Sequence, residues 1–283
     1  MRSNVLNSPR LHELRKQRRK VFLNKFILIL IACLVIFVGL GFISRLGRLN
    51  IASTAVSGNK VVDAEIIKEK VNKDLAGYYF WLFPKTNIFF YPKNKIKENL
   101  ALDLKRLENI SLEVGDDRVL QISVSEREAL YMWCGEIILT ETVPNEKEKC
   151  YFLDKNGFIF DEAPYFSGEV YFKFYGETSD SYFAKENFPQ LVLFKETLGQ
   201  MKLKPTVLYK MQNGDIKILL SSTNSSLANP EIILKSDSDL GIVAENLSAA
   251  LDTEPLKTDF KKKYSSLIYI DLRFGNKVYY KFK

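Results

Sequence analysis

From Phe26 to Ile43 the chain reads FILILIACLVIFVGLGFI, and no Asp, Glu, Lys or Arg lies between Lys25 and Arg45. At about 1.5 Å of rise per residue, a helix of this run reaches roughly 27 Å, close to the ~30 Å hydrocarbon core of a bilayer. A helix satisfies its own backbone hydrogen bonds, which a loop in lipid cannot do. Core helices of soluble domains carry shorter apolar runs and leave one polar face. This stretch is apolar all round, so residues 26–44 are expected to span a membrane.

Charge sets the expected orientation. Residues 1–25 hold eight Lys and Arg side chains against one acid, Glu13, and the resulting +7 equals the net charge of the whole chain. The basic balance therefore resides entirely in the tail. Lys and Arg beside a span stay on the cytoplasmic side, so a cytoplasmic tail and an extracytoplasmic mass are expected. The nearest small-residue cleavage site, Ala52-Ser-Thr-Ala55, lies beyond Arg45 and Arg48, so an uncleaved anchor fits better than a removed signal. The tail has little aromatic interleaving and no nucleic-acid partner is expected.

Twenty Phe and fourteen Tyr against nine Pro point to packed structure beyond the span rather than a disordered stalk. Cys33 falls in the span. Cys134 and Cys150 each sit at the end of a strand-like run, as if facing each other at the mouth of a hairpin. A disulfide and two ordinary thiols both fit that placement. Two cysteines with no histidine nearby give too few soft ligands for a metal site.

Between 49 and 127 the pattern is legible. Asn50–Val56 reads as a strand that breaks at Gly58-Asn59. Asp63 suits an N-cap for a helix with Ala64, Ile67, Val71 and Leu75 on one face, ended by Gly77. After the aromatic stretch YYFWLFPKTNIFFY (78–91), Pro92 can open a second helix with a stripe of Ile96, Leu100, Leu104 and Leu107. Ile110, Leu112 and Val114 alternate before a Gly115-Asp116-Asp117 turn, and Leu120, Ile122 and Val124 alternate after it. The order β-α-α-β-β predicts a small α+β domain with helices on one face of a short sheet.

From 128 to 283 the pattern is β-rich. Strands are expected over Leu130–Leu139, over Cys150–Phe160 with a break at Asn156-Gly157, and over Val170–Tyr175. Leu191, Phe194, Leu198 and Met201 mark a helix after Pro189. Val207–Met211 and Ile216–Leu220 flank a Gln212-Asn213-Gly214-Asp215 turn. Ile232–Leu234 precedes a helix with Leu240, Ala244, Leu247 and Leu251. Finally Ile268, Ile270, Leu272 and Phe274 alternate, Gly275-Asn276 turns, and Val278, Tyr280 and Phe282 alternate, predicting a closing β-hairpin.

These residues carry a resemblance. V-S-G-N-K (56–60), N-I-F-F-Y-P (87–92), L-Q-I-S-V-S-E-R (120–127), Y-F-L-D-K-N-G-F-I-F (151–160) and Y-I-D-L-R-F-G-N-K-V (269–278) are similar to the FtsQ/DivIB family of bacterial cell-division proteins. That family has a cytoplasmic tail, one span, a POTRA domain and a C-terminal β-domain. The chain lacks the proline that usually follows V-x-E-R, carrying Glu128-Ala129 instead. The resemblance implies a division scaffold at the septum that binds small single-span partners of the FtsB and FtsL kind through its last strand. By it Arg273, Phe274, Lys277, Val278 and Tyr280 are the expected partner-binding positions. Edge strands are suited to capture of a partner strand, and lysines there discourage indiscriminate pairing.

Chemistry is not signposted. The one histidine, His12, lies in the tail, which removes His-dependent triads and His-ligated zinc from the expected external domains. No Walker loop or G-x-S-x-G elbow occurs. Ser57-Gly-Asn-Lys60 fits the S-x-x-K of penicillin-binding proteins, but Ser236-Asp-Ser238 is not S-D-N and Lys257-Thr-Asp259 is not K-T-G. A non-enzymatic protein without cofactor or small-molecule substrate is expected. A POTRA-bearing secretion accessory and a membrane-anchored wall enzyme are the competing readings.

Overall fold

The computed structural model describes residues 9–138, 148–221 and 229–283. Residues 1–8 of the basic tail and Leu139, the expected end of the strand from Leu130, lie outside the described residues. The described chain is a mixed α+β protein with one long apolar helix near its N-terminus and a large β-sheet. It divides into two compact units, Met1–Glu126 and Arg127–Lys283.

The first unit opens with α1 (Pro9–Ser44), which begins inside the basic tail and runs through the apolar stretch without a break. Its segment Glu13–Ser44 is long and apolar enough to cross a membrane. Its large apolar side chains face outward, Leu28 and Ile36 among them, which is the opposite of a core helix. There follow β1 (Ser53–Ser57), α2 (Ala64–Leu75), a two-residue hairpin β2 (Tyr78–Tyr79) and β3 (Phe83–Pro84), α3 (Lys93–Asp103), β4 (Leu107–Val114) and β5 (Val119–Glu126).

β5 is the central strand, parallel to β1 and antiparallel to β4. Ile67 and Val71 of α2, Ile96 and Leu100 of α3, and Leu120 and Ile122 of β5 form one core between helices and sheet. The opposite sheet face is polar, with Ser57 against Ser123 and Asn109 against Ser125. This is the division expected of a sheet covered on one side. Asp63 caps α2 by accepting the Glu65 N–H at 2.9 Å. The expected stripe on α3 is shorter than the spacing implied. Leu104 is the C-cap and Leu107 opens β4, fully buried there. Two leucines three positions apart fit either the last turn of a helix or a turn into a strand, because both bury the second leucine.

One contact explains why V-S-G-N-K and V-S-E-R belong together. A Cβ on Gly58, whose φ is +87°, would lie 2.0 Å from the Val124 carbonyl oxygen, so only glycine lets the two segments meet. Beside it the Glu126 carboxylate accepts the backbone N–H groups of Lys60, Val61 and Val62 at 2.6 to 3.0 Å. Glu126 is therefore a clasp between the end of β5 and the loop that leads into α2. Partial burial opposes its ionisation, but the backbone donors outweigh this and hold the carboxyl below its ordinary value of 4.5. A carboxyl lowered on folding adds stability above its unfolded pKa and loses it as pH falls through the folded one. Glu126→Gln keeps one acceptor oxygen and loses the charge, so at this partly exposed site it should cost about 1 kcal/mol at neutral pH, with the gap to the parent closing below about pH 4.5 in acid-unfolding curves.

The second unit contains β6 (Tyr131–Trp133), β7 (Tyr151–Leu153), β8 (Ile159–Glu162), β9 (Lys173–Tyr175), β10 (Thr178–Ser179), β11 (Tyr182–Phe183), α4 (Phe188–Gln200), β12 (Pro205–Lys210), β13 (Asp215–Leu220), β14 (Glu231–Lys235), α5 (Leu240–Leu251), α6 (Leu256–Lys263), β15 (Leu267–Phe274) and β16 (Lys277–Phe282). Nine of these strands form one sheet in the order β16-β15-β14-β13-β12-β9-β6-β7-β8. β9 and β12 are parallel with α4 between them in sequence, and β14 and β15 are parallel with α5 and α6 between them. Parallel neighbours need such crossovers, which is why helices interrupt a β-rich segment.

The core gathers Phe174, Phe183 and Phe188 with Ile216, Ile218 and Ile232 beneath α4 and α5. α6 is an element the periodicity does not reveal, since Leu256 and Phe260 are its only large apolar residues. Among the described residues the strand expected from Leu130 is three residues long, paired with β7 over Tyr131–Trp133 and with β9 at Met132 and Trp133. Trp133 pairs with Tyr151, and just beyond them Cys134 and Cys150 are joined in a disulfide across 16 residues. A loop of that size corresponds to about 3 kcal/mol of stabilisation. Reduction should lower the unfolding free energy of the second unit by that order, read by denaturant titration with and without reductant.

Candidate partner-binding edge

The last two strands are built around a two-residue turn. Gly275 has φ +66°, the left-handed value that its turn position demands. β15 pairs with β14 on one side and with β16 on the other, and β16 ends the sheet. Among the described residues no strand pairs with the outer edge of β16.

Two β-bulges in β15 decide which side chains are available. Register shifts fall between Leu267 and Tyr269 and between Asp271 and Phe274. Each extra residue reverses the alternation that follows it. Ile268 and Phe274, expected inward with Ile270 and Leu272, are exposed, whereas Leu267 is buried. β16 alternates without interruption. Val278, Tyr280 and Phe282 pack against the core, and Lys277, Tyr279 and Lys281 face solvent.

The expected partner-binding residues therefore separate. Val278 and Tyr280 are half-buried against the core on the inner face, so their side chains are committed to the fold. Arg273 is a strand-to-strand brace. Its guanidinium donates to Asp271 Oδ1 and Oδ2 at 3.0 and 2.7 Å and to Asp215 Oδ2 of β13 at 2.8 Å. Asp271 is 7% exposed. Burial works against its charge, yet the donors from Arg273 hold its carboxyl below the ordinary range, and the same pairing raises the arginine. Phe274 and Lys277 remain exposed at the turn. The Phe274 ring meets Tyr279 edge-on, 5.2 Å between centroids, with 55% and 48% of the two residues exposed. Tyr279 belongs with the available set although the resemblance did not single it out. Its position between Lys277 and Lys281 in a strict alternation is the signal.

The edge so assembled offers one free line of backbone N–H and C=O groups, an exposed aromatic pair and a row of lysines. It can accept a strand, with the aromatics contacting apolar side chains and Lys277 and Lys281 favouring an acidic segment. Elsewhere, a cleft of about 540 Å³ lies between α4 and the start of α5, lined in part by Gln190, Phe194, Lys210 and Asp239. Of its two aspartates, Asp237 and Asp239, the second accepts the Gly241 and Ile242 N–H groups as the N-cap of α5. Cys134, Glu148 and Cys150 lie close enough together to suit a metal, but the two sulfurs are bonded to each other. Ser57 lies at the end of β1, against Ser123, and does not open a helix as an S-x-x-K nucleophile does.

The chain matches no protein-family model and no curated protein.

Proposed function

We propose that this chain is a bitopic membrane scaffold of the FtsQ/DivIB type, acting in bacterial cell division by binding other proteins. In this reading α1 is an uncleaved anchor with its basic end in the cytoplasm. The first unit is a POTRA domain, the second is the partner-binding β-domain, and neither performs catalysis or needs a cofactor. Small single-span division proteins of the FtsB and FtsL kind dock on the outer edge of β16. Sharing one membrane raises the effective concentration of anchored partners, so modest affinity suffices.

The observation that carries the reading is the open terminal strand with Phe274 and Tyr279 beside it. Support also comes from the β-α-α-β-β order of the first unit and from the Glu126 clasp, which gives two separated parts of the resemblance one structural purpose. Depletion of the protein is expected to produce filaments with failed septa, and the full chain purified from membranes should bring small single-span proteins with it. Secretion defects with intact septa, or turnover of a wall substrate by the purified protein, would overturn the proposal.

A further inference from the structure

The aromatic stretch 78–91 has no place in the edge just described, and its geometry within the first unit is unusual. β2 and β3 carry a three-residue tip, Phe80, Trp81 and Leu82. Phe80 and Trp81 have φ of +48° and +58°, a conformation uncommon for bulky side chains. The tip does not earn that strain by burial, since Phe80 is 80% and Trp81 89% exposed. Phe89, nearby in sequence after β3, is also exposed.

The hairpin is fastened to α1. Phe83 meets Phe37 of the helix edge-on at 5.1 Å. A Cβ on Gly41 would lie 3.1 Å from the Leu82 Cβ, so the glycine opens room for Leu82 against the helix. Asn87, 1% exposed, donates to the Ser44 hydroxyl at 3.1 Å. Phe37 precedes Ser44 by seven residues, or about 10 Å along the helix axis. The hairpin thus lies beside the apolar part of α1, below the level of Arg45, rather than beyond its end.

Several of its backbone carbonyls are paired by side-chain and backbone donors. Arg45 donates Nη2 to the Trp81 carbonyl at 3.0 Å and Nε to the Leu82 carbonyl at 3.2 Å. The Leu82 N–H bonds the Tyr79 carbonyl, and the Lys85 N–H bonds that of Gly77. The Arg45 guanidinium also lies over the rings of Phe42 and Tyr78, and Lys85 over Tyr79. Exposed aromatics fringed by basic side chains, at one end of an apolar helix, match the composition of a membrane interface.

We propose that the Tyr78–Pro84 hairpin is a second membrane-contacting element. Phe80, Trp81 and Phe89 enter the acyl-chain boundary of the leaflet at the C-terminal end of α1, with Arg45 and Lys85 at the phosphate level. The occupant of this apolar surface is phospholipid, because the surface is continuous with the lipid-facing side of α1. The hairpin then fixes the tilt and depth of the helix relative to the small sheet that follows. This rests on the reading of α1 as a membrane span.

The test uses the full chain reconstituted in phosphatidylcholine–phosphatidylglycerol vesicles. Trp81 is one of two tryptophans, so its emission is obtained as the difference between the parent and Trp81→Phe. That difference should be blue-shifted, and quenched more by lipids brominated near the headgroup end of the acyl chain than by lipids brominated near the methyl end. A nitroxide on Cys33, the free and exposed cysteine of α1, reports separately on the helix. A protected Cys33 with unquenched, water-like Trp81 emission overturns the hairpin proposal and leaves the anchor intact, because the tip then faces water. A Cys33 label open to aqueous relaxation agents overturns the anchor and the hairpin proposal together.

Discussion

Asp154→Ala should be among the most damaging polar substitutions in the second unit, lowering its stability by about 3–5 kcal/mol. Asp154 is 3% exposed and serves three donors at once. Its Oδ1 accepts the N–H groups of Asn156 and Phe158 at 2.8 and 3.0 Å, which sets the turn between β7 and β8. Its Oδ2 accepts Arg127 Nη1 at 2.6 Å, and the same guanidinium lies 4.2 Å from the centre of the Phe158 ring. Removing the carboxylate strips two turn N–H groups of their acceptor and leaves a largely enclosed cation without this counter-charge. Asp154→Asn keeps an Oδ1 acceptor and loses the charge, so it should fall between the parent and alanine. Denaturant midpoints of the three proteins give the order, and equal midpoints for parent and alanine would falsify the account.

Val278→Asp and Tyr279→Asp, neighbours on β16, should fail in opposite ways. Val278 packs against the core, so a carboxylate there should cost about 2–4 kcal/mol and loosen the terminal hairpin. Tyr279 faces solvent beside Phe274, so its replacement should cost about 1 kcal/mol, the worth of the ring pair. If β16 is the docking edge, Tyr279→Asp should nevertheless weaken partner capture more than tenfold, while melting stays near the parent's. Lost capture by Val278→Asp alone would report unfolding, not docking. Unchanged capture by a folded Tyr279→Asp protein would remove this edge from the proposal.

The same pair shows what a sequence can and cannot tell about a strand. Period-two alternation in 277–282 places each side chain correctly, because β16 runs against β15 without a bulge of its own. In 267–274 the same rule fails at Ile268 and Phe274. The two bulges that turn them outward leave no turn signal in the residues themselves. Arg273 was expected on the docking surface, yet it braces Asp215, 58 residues away. Glu126 closes β5, and its role as a clasp rests on partners 64 to 66 residues earlier in the chain.

Local physics therefore wrote much of this protein directly into its residues. The length of an uncharged run sets what it can span, Asp63 and Gly58 start and stop elements by their own chemistry, and apolar periodicity chooses helix or strand. Those properties depend on neighbours within a few positions. Which strand is left at the edge, which carboxylate is a clasp, and which aromatics stay in contact with solvent or lipid depend on pairings between distant segments. Only the tertiary structure decides them, because the free energy of such a group is set by what the rest of the chain brings to it.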